Sequence, residues 1–269
     1  MNRTVKISAL VNTLNEADNL ECCLRSLLWC DEIIVVDMNS TDGTVDIARS
    51  LGARVILTDL PHGNPDPARQ MGIDACTGDW IFILDADEEL PLEAVPVLQQ
   101  IAGEEQYQVV RMLIRDVWWG KKLLHMGNNY VPRFFKSGAL KYGGAIHGRG
   151  IIYDRSNAHT MPADEQLAIA HYCVKSLDEI VERAVRYSRF EADWMTEHNV
   201  RYSIWRHLRS IAGQVYLYSV KYHFWKDGVR GLFALTFLML HSNLNWVRLW
   251  EYENHISGDI CSHKDQTRA

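Results

Sequence analysis

The run WIFILD from Trp80 to Asp85 is apolar until its final residue, and VKISALV from Val5, EIIVVD from Glu32 and RVILT from Arg54 are similarly strand-like. Between them, apolar residues recur at helical spacing, which predicts helices from about Asn19 to Cys30, from Thr44 to Leu51 and around Pro67 to Ala75. Near-continuous apolar strands alternating with amphipathic helices predict a mostly parallel sheet covered on both faces. The first hundred residues thus read as a doubly wound, Rossmann-like α/β fold. In such sheets ligands gather at the carboxyl ends of the strands.

From Tyr107 the pattern changes to YQVVRMLIRDVWW and then to a glycine-rich, aromatic stretch through Gly150, which predicts strands and loops completing the sheet. Residues 176–250 read as helices, opening at SLDEIVERAVRYSRFEADWM with Ser176 as cap and Glu179 three residues on. The expected boundary separates a sheet domain, 1–175, from a C-terminal helical region, 176–269.

With 269 residues the chain can bury roughly 75% of its unfolded surface. Acids outnumber bases 34 to 28, but the charge is segregated. Residues 31–105 hold sixteen acids and three bases, whereas residues 201–230 hold six bases and one acid. That distribution excludes a general nucleic-acid binder, whose folded domain would carry the basic footprint. The six cysteines lack metal-binding spacing, with Cys22 and Cys23 adjacent and the rest scattered, and are read as reduced thiols of a cytosolic protein. MNRTVKISALV lacks the apolar core of a signal peptide. The run GLFALTFLML, 231–240, is about half of the ~20 residues needed to span a bilayer.

The strand at Trp80 ends in four acids within five positions: Asp85, Asp87, Glu88 and Glu89. Carboxylates so close repel one another, so a cation is expected among them. Extended backbone points Asp85 and Asp87 the same way. A pair of this kind suits Mg²⁺ or Mn²⁺, which bind one or two carboxylates and keep other positions for water and substrate phosphate. A dedicated calcium loop would need glycine where Leu90 stands. Asp37 ends another strand, ahead of a Ser-Thr-Asp-Gly turn. Ser40, Thr41 and Asp42 are expected to cap the following helix. Asp37 itself is placed to accept hydrogen bonds from a base or ribose.

The segments LVNTLNEADNLECCLRSLLWCDEIIVVDMNSTDGTVDIARSLGARV and ARQMGIDACTGDWIFILDADEEL together resemble the family 2 glycosyltransferases, inverting enzymes of the GT-A fold that use sugar nucleotides. Further on, YVPRFFKSG, AIH and HYCVKSLDEIVERAVRYS are similar to the small bacterial members that build lipopolysaccharide core or related surface glycans. The resemblance implies a UDP-sugar donor, a glycolipid or oligosaccharide acceptor, and a metal held by Asp85 and Asp87. It implies that Asn12, Leu14 and Glu16 line the nucleobase and ribose, with Asp37, Met38 and Ala86 completing the nucleotide site. Arg69 would be a basic contact, and Arg115 and Arg133 would be partners of the diphosphate.

Two positions depart from the family pattern. Met38 stands where many members double the second-motif acid, and Gly148 follows His147 where related members carry glutamate. An inverting transfer needs a base for the acceptor hydroxyl. The residues considered for it are Asp116 and His147, then Asp154, Asp164 and Glu165. A glycine-rich basic loop of a nucleotidyltransferase and a G-x-G-x-x-G dinucleotide motif are both absent from LVNTLNEADNL. The alternative to an enzyme is a non-catalytic nucleotide-binding or membrane scaffold protein on the same fold. The bases and tryptophans of 201–250 predict an amphipathic helical platform on an anionic membrane surface, peripheral to the cytoplasmic face of the inner membrane.

Overall fold

A computed structural model describes residues 5–60, 66–104, 106–142, 151–152, 154–174 and 176–254. Strands and helices alternate through β1 (Ile7–Thr13), α1 (Ala17–Arg25), β2 (Glu32–Asp37), α2 (Thr44–Ser50), β3 (Arg54–Leu57), α3 (Asp66–Ala75) and β4 (Trp80–Asp85). There follow β5 (Glu88–Glu89), α4 (Ala94–Glu104), β6 (Val109–Trp118), β7 (Lys121–Lys122), β8 (Asn129–Lys136), β9 (Leu140–Lys141), β10 (Ile151–Ile152), β11 (Ala158–Thr160) and β12 (Ile169–Val174). The main sheet runs β3-β2-β1-β4-β8-β6-β12-β5, with β7 and β11 paired to β6.

Strands β1 to β4 are mutually parallel, as their continuous apolar character predicts. Beyond β4 the direction reverses, because β8 is antiparallel to both β4 and β6. The link from Trp118 to Asn129 is shorter than the dozen or more residues of a parallel crossover, so β6 and β8 pair head to tail.

Alternation along each strand divides the core between the two sheet faces. Ala9 and Val11 of β1, Val35 of β2 and Phe82 and Leu84 of β4 pack with Leu20, Leu24 and Leu98 of the helices. Leu10, Ile34, Val36, Ile81 and Ile83 pack on the other face, with Ala68 and Ile73 of α3. Leu20, Cys23, Leu24 and Leu27 form the buried helical stripe of the α1 segment, and each leucine contributes about 1.5–3 kcal/mol by leaving water. Helix α3 lies so near the sheet that a Cβ on Gly72 would sit 2.2 Å from Leu10 Cδ1. That contact carries Arg69, one turn earlier, to the strand ends.

The chain divides into two compact units, Met1–Lys122 with Asn128–Cys173, and Leu123–Gly127 with Val174–Ala269. The second unit contains α5 (Leu177–Glu197), α6 (Ile204–Tyr216) and α7 (Val229–Glu253). Ser176 caps α5 as its sequence predicts, its Oγ accepting from Glu179 N at 3.1 Å. Arg248 Nε of α7 donates to Ser188 Oγ of α5 at 3.1 Å. Among the described residues, no helix is long and apolar enough to cross a membrane.

Candidate active site

The parallel register places Asn12 of β1 between Val36 of β2 and Asp85 of β4, and Thr13 beside Asp37. Asn12, Asp37 and Asp85 therefore stand at the carboxyl ends of three adjoining strands. The loops that follow β1 and β2 are fastened to each other. Asn15 N donates to Ser40 Oγ at 2.7 Å, Thr41 N to Asn15 Oδ1 at 2.7 Å, Glu16 N to Thr44 Oγ1 at 2.9 Å and Ala17 N to Asp42 Oδ2 at 3.1 Å. Asn15 and Asn39 hold left-handed backbone, φ 55° and 60°, a conformation that asparagine tolerates better than most residues.

Asp37 is fully buried and accepts from Ser40 N at 2.8 Å and Ser40 Oγ at 2.5 Å. Capping of α2 differs from expectation: the N-cap is Gly43, while Ser40 serves Asp37 and Asp42 ties Thr44 to the start of α1. Asp42 Oδ1 still meets the first amide of α2 as expected, while its other oxygen serves the start of α1. Asn12 is buried, yet among the described residues neither atom of its side-chain amide has a partner, and Thr13 Oγ1 is likewise alone. Each such group costs about 1–3 kcal/mol unless something polar meets it. Leu14 and the buried Met38 pack against the α3-side cluster, and the Glu16 carboxylate accepts from Asn19 Nδ2 at 2.7 Å.

The acid knot is sorted by two arginines. Arg69 of α3 donates from Nη2 to Asp85 Oδ1, and Arg133 of β8 donates from Nη2 to Asp85 Oδ2 at 2.8 Å and to Glu88 Oε1. Glu88 Oε2 accepts from Asp85 N at 3.0 Å, which closes the turn over the buried Ala86. Burial alone would raise the Asp85 carboxyl, but the two guanidiniums hold it well below the usual carboxylate range. Burial pushes Glu88 up to about 7 despite Arg133. Arg69 also lies over the ring of Tyr142, 5.6 Å from its centroid.

Asp87 has a different neighbour. His171 of β12 reaches Asp87 Oδ2 from Nε2 at 3.2 Å and Asp116 Oδ1 from Nδ1 at 2.8 Å. Asp116, His171 and Cys173 bring one ligand atom each within 4.8 Å of one another. The carboxylates and imidazole at this place fit Mn²⁺ or Mg²⁺, whereas the thiol is a softer donor. His171 was not singled out from the sequence. The signal was the His-x-Cys spacing in HYCV, which puts both side chains on one face of a strand.

Burial disfavours the imidazolium of His171, but hydrogen bonds to Asp116 and Asp87 raise its pKa well above the ordinary value. The associated stability is complete below the unfolded pKa, about 6.5, and is lost as pH rises through the folded one. In the presence of a chelator, the denaturant midpoint is therefore expected to fall as pH rises through the alkaline range. His171→Gln should flatten that dependence. An unchanged slope in the variant would show that His171 is not the group responsible.

Arg115 is buried against Glu165, its Nε and Nη2 meeting the carboxylate at 2.7–3.1 Å. Asp154 accepts from Ser156 and Asn157, and Asp164 from Gln166 N. His147 and Gly148 lie outside the described residues. Among the described residues considered as a base, Asp116 is the one the structure brings beside Asp87 through His171.

The parallel half-sheet, its antiparallel extension and the acids at its strand ends have the architecture of the GT-A class. Residues 8–155 match the model of glycosyl transferase family 2, and the chain belongs to that family. A protein of Rickettsia bellii described as an uncharacterized glycosyltransferase is 38% identical over 133 residues, 49% of this chain and 43% of that protein. The chain thus spans less than half the length of that relative. The lipopolysaccharide core biosynthesis glycosyltransferase LpsC of Rhizobium meliloti is 26% identical over 211 residues, 72% of this chain and 73% of that protein. The structure of Mycobacterium tuberculosis glucosyl-3-phosphoglycerate synthase with Mn²⁺, UDP and glucosyl-3-phosphoglycerate is 20% identical, with a TM-score of 0.45 over 74% of this chain and 82% of that one.

Proposed function

We propose that this chain is an inverting, metal-dependent glycosyltransferase that moves a sugar from a nucleoside diphosphate, UDP in the first instance, to a glycolipid or surface-glycan acceptor such as lipopolysaccharide core. Its work would take place at the anionic cytoplasmic face of the inner membrane. The observation that carries the reading is the convergence of unpartnered Asn12, buried Asp37 and the Asp85–Asp87 turn on adjoining strand ends. The Rhizobium relative that acts in lipopolysaccharide core biosynthesis supports the acceptor class.

In this reading Asn12, Leu14, Glu16, Asp37 and Met38 hold the nucleoside. Asp85 is kept ionised and oriented by Arg69 and Arg133, which stand where a diphosphate would meet positive charge. Asp85 and Asp87 would hold Mg²⁺ or Mn²⁺, with His171 and Asp116 beside Asp87. When bound, the metal supplies Lewis-acid stabilisation of the charge on the leaving diphosphate. Asp116 or His147 takes the proton from the acceptor hydroxyl.

A thermal-shift panel of nucleoside diphosphates, with and without Mn²⁺, tests the donor site. A ligand at a hundred times its Kd adds about 2.7 kcal/mol, roughly 5–10 °C for a domain of this size. UDP with Mn²⁺ is expected to give that shift, and Asp37→Ala to reduce it even without metal. Turnover of a UDP-sugar would separate the enzyme from a non-catalytic binder. No shift with any nucleoside diphosphate would overturn the reading.

A further inference from the structure

Helix α6 is built inside out. The residues that it turns to α7 are polar: buried His207 meets Asn243 Oδ1 through Nε2 at 3.0 Å, and Ser210 Oγ meets Ser242 Oγ at 3.0 Å. Gln214, one turn further along the same stripe, has its buried Oε1 without a partner among the described residues. Its apolar side chains point the other way. Trp205 is 77% exposed, Leu208 50% and Tyr216 66%, and at 3.6 residues per turn these positions and Val215 fall on a single face. A helix packed on a soluble core shows the reverse order.

Charge indicates what covers this face. Arg206 and Arg209 are exposed beside it, and the connection after α6 adds exposed Lys221 and Lys226 around Val220 and Trp225. The segment 201–230 contains one acid, Asp227. That acid is turned inward, its carboxylate accepting from Leu124 N at 3.0 Å and His125 N at 2.8 Å and meeting His125 Nδ1 at 2.9 Å. The exposed charge of the segment is therefore entirely basic. A second copy packed face to face would set these cations against their equivalents. An anionic leaflet would attract each of them by about 1 kcal/mol, with tryptophan and tyrosine at headgroup level.

We infer that the outward face of α6, with the basic aromatic connection after it, lies in the plane of an anionic membrane. The thirteen-residue helix would place about 20 Å of apolar stripe along the headgroup boundary. This deepens the membrane partner of the proposed function and rests on none of its chemistry.

The test is sedimentation of the full chain with phosphatidylglycerol vesicles and phosphatidylcholine vesicles across a salt series. Binding is expected to phosphatidylglycerol at low salt and to fall as salt rises. The double variant Trp205→Asp with Leu208→Asp should bind at least tenfold more weakly, while keeping the parent's unfolding temperature and its shift with UDP. Three results would each overturn the inference: no sedimentation of the parent with phosphatidylglycerol, equal sedimentation of the variant, or a parent dimer that the variant dissolves, which would assign the face to a second copy. Vesicle binding without a UDP shift would leave this inference standing and remove the proposed function. The converse result would do the opposite.

Discussion

Asp87→Asn is expected to lower kcat/KM for sugar transfer by a hundredfold or more, since a metal contributes several kcal/mol of charge stabilisation to such a step. The same change should remove the Mn²⁺ or Mg²⁺ dependence of nucleotide binding. It leaves the fold in place, because Asp87 lies at the rim of the knot, whereas the contacts closing the turn belong to Asp85 and Glu88. Neutral asparagine keeps the size of the side chain and removes the charge that faces His171. The measurement is transfer and isothermal nucleotide binding across a metal series, with unfolding temperature as control. A variant that transfers sugar as well as the parent, with unaltered metal dependence, would remove Asp87 from the metal site.

Arg133→Ala is expected to give the largest loss of stability of any single change at the site. Its side chain is 5% exposed and its guanidinium serves two carboxylates at once, Asp85 and Glu88. Removing one partner of a buried ionic pair costs about 3–5 kcal/mol, because the charge left behind has lost its compensation. Arg69 retains one hold on Asp85, but among the described residues Glu88 keeps no arginine. Arg133→Lys should recover part of the loss, since an ammonium restores charge without the planar fork that spans both acids. Chemical denaturation of the three proteins at neutral pH decides the matter. A loss under 1 kcal/mol for the alanine variant would mean that the cluster relaxes or that water compensates it.

The apolar strands and the helices between them were legible because their periods differ and because β1, β2 and β4 are buried on both faces. The Asp-x-Asp turn and Asp37 were legible through their position at strand ends. What lay beyond the sequence was the pairing inside the knot. Arg133 reaches Asp85 across 48 residues, and it does so because β8 runs antiparallel to β4, which local pattern does not encode. Four neighbouring acids looked equivalent, yet Glu88 is enclosed with an arginine, Asp85 shares two, and Asp87 faces an imidazole. His171 arrives through the β12–β5 pairing opposite Glu88, another long-range register. In α6 the amphipathic period was visible, but which side met the protein depended on Asn243 and Ser242 of a later helix.

The cross-fastening of the loops after β1 and β2 bears on how this scaffold can diverge. Four amides from one loop or the other are satisfied by side chains of its neighbour or of the helix start, so the two loops behave as one preassembled wall. A ligand bound against such a wall would require little further ordering of it. A substitution that loosens one loop also frees the other, so small adjustments there are not separable. Divergence of this scaffold would accordingly leave the wall alone and fall on positions outside it, since Arg133, Asp116 and His171 on the opposite side are themselves tied into the acid knot.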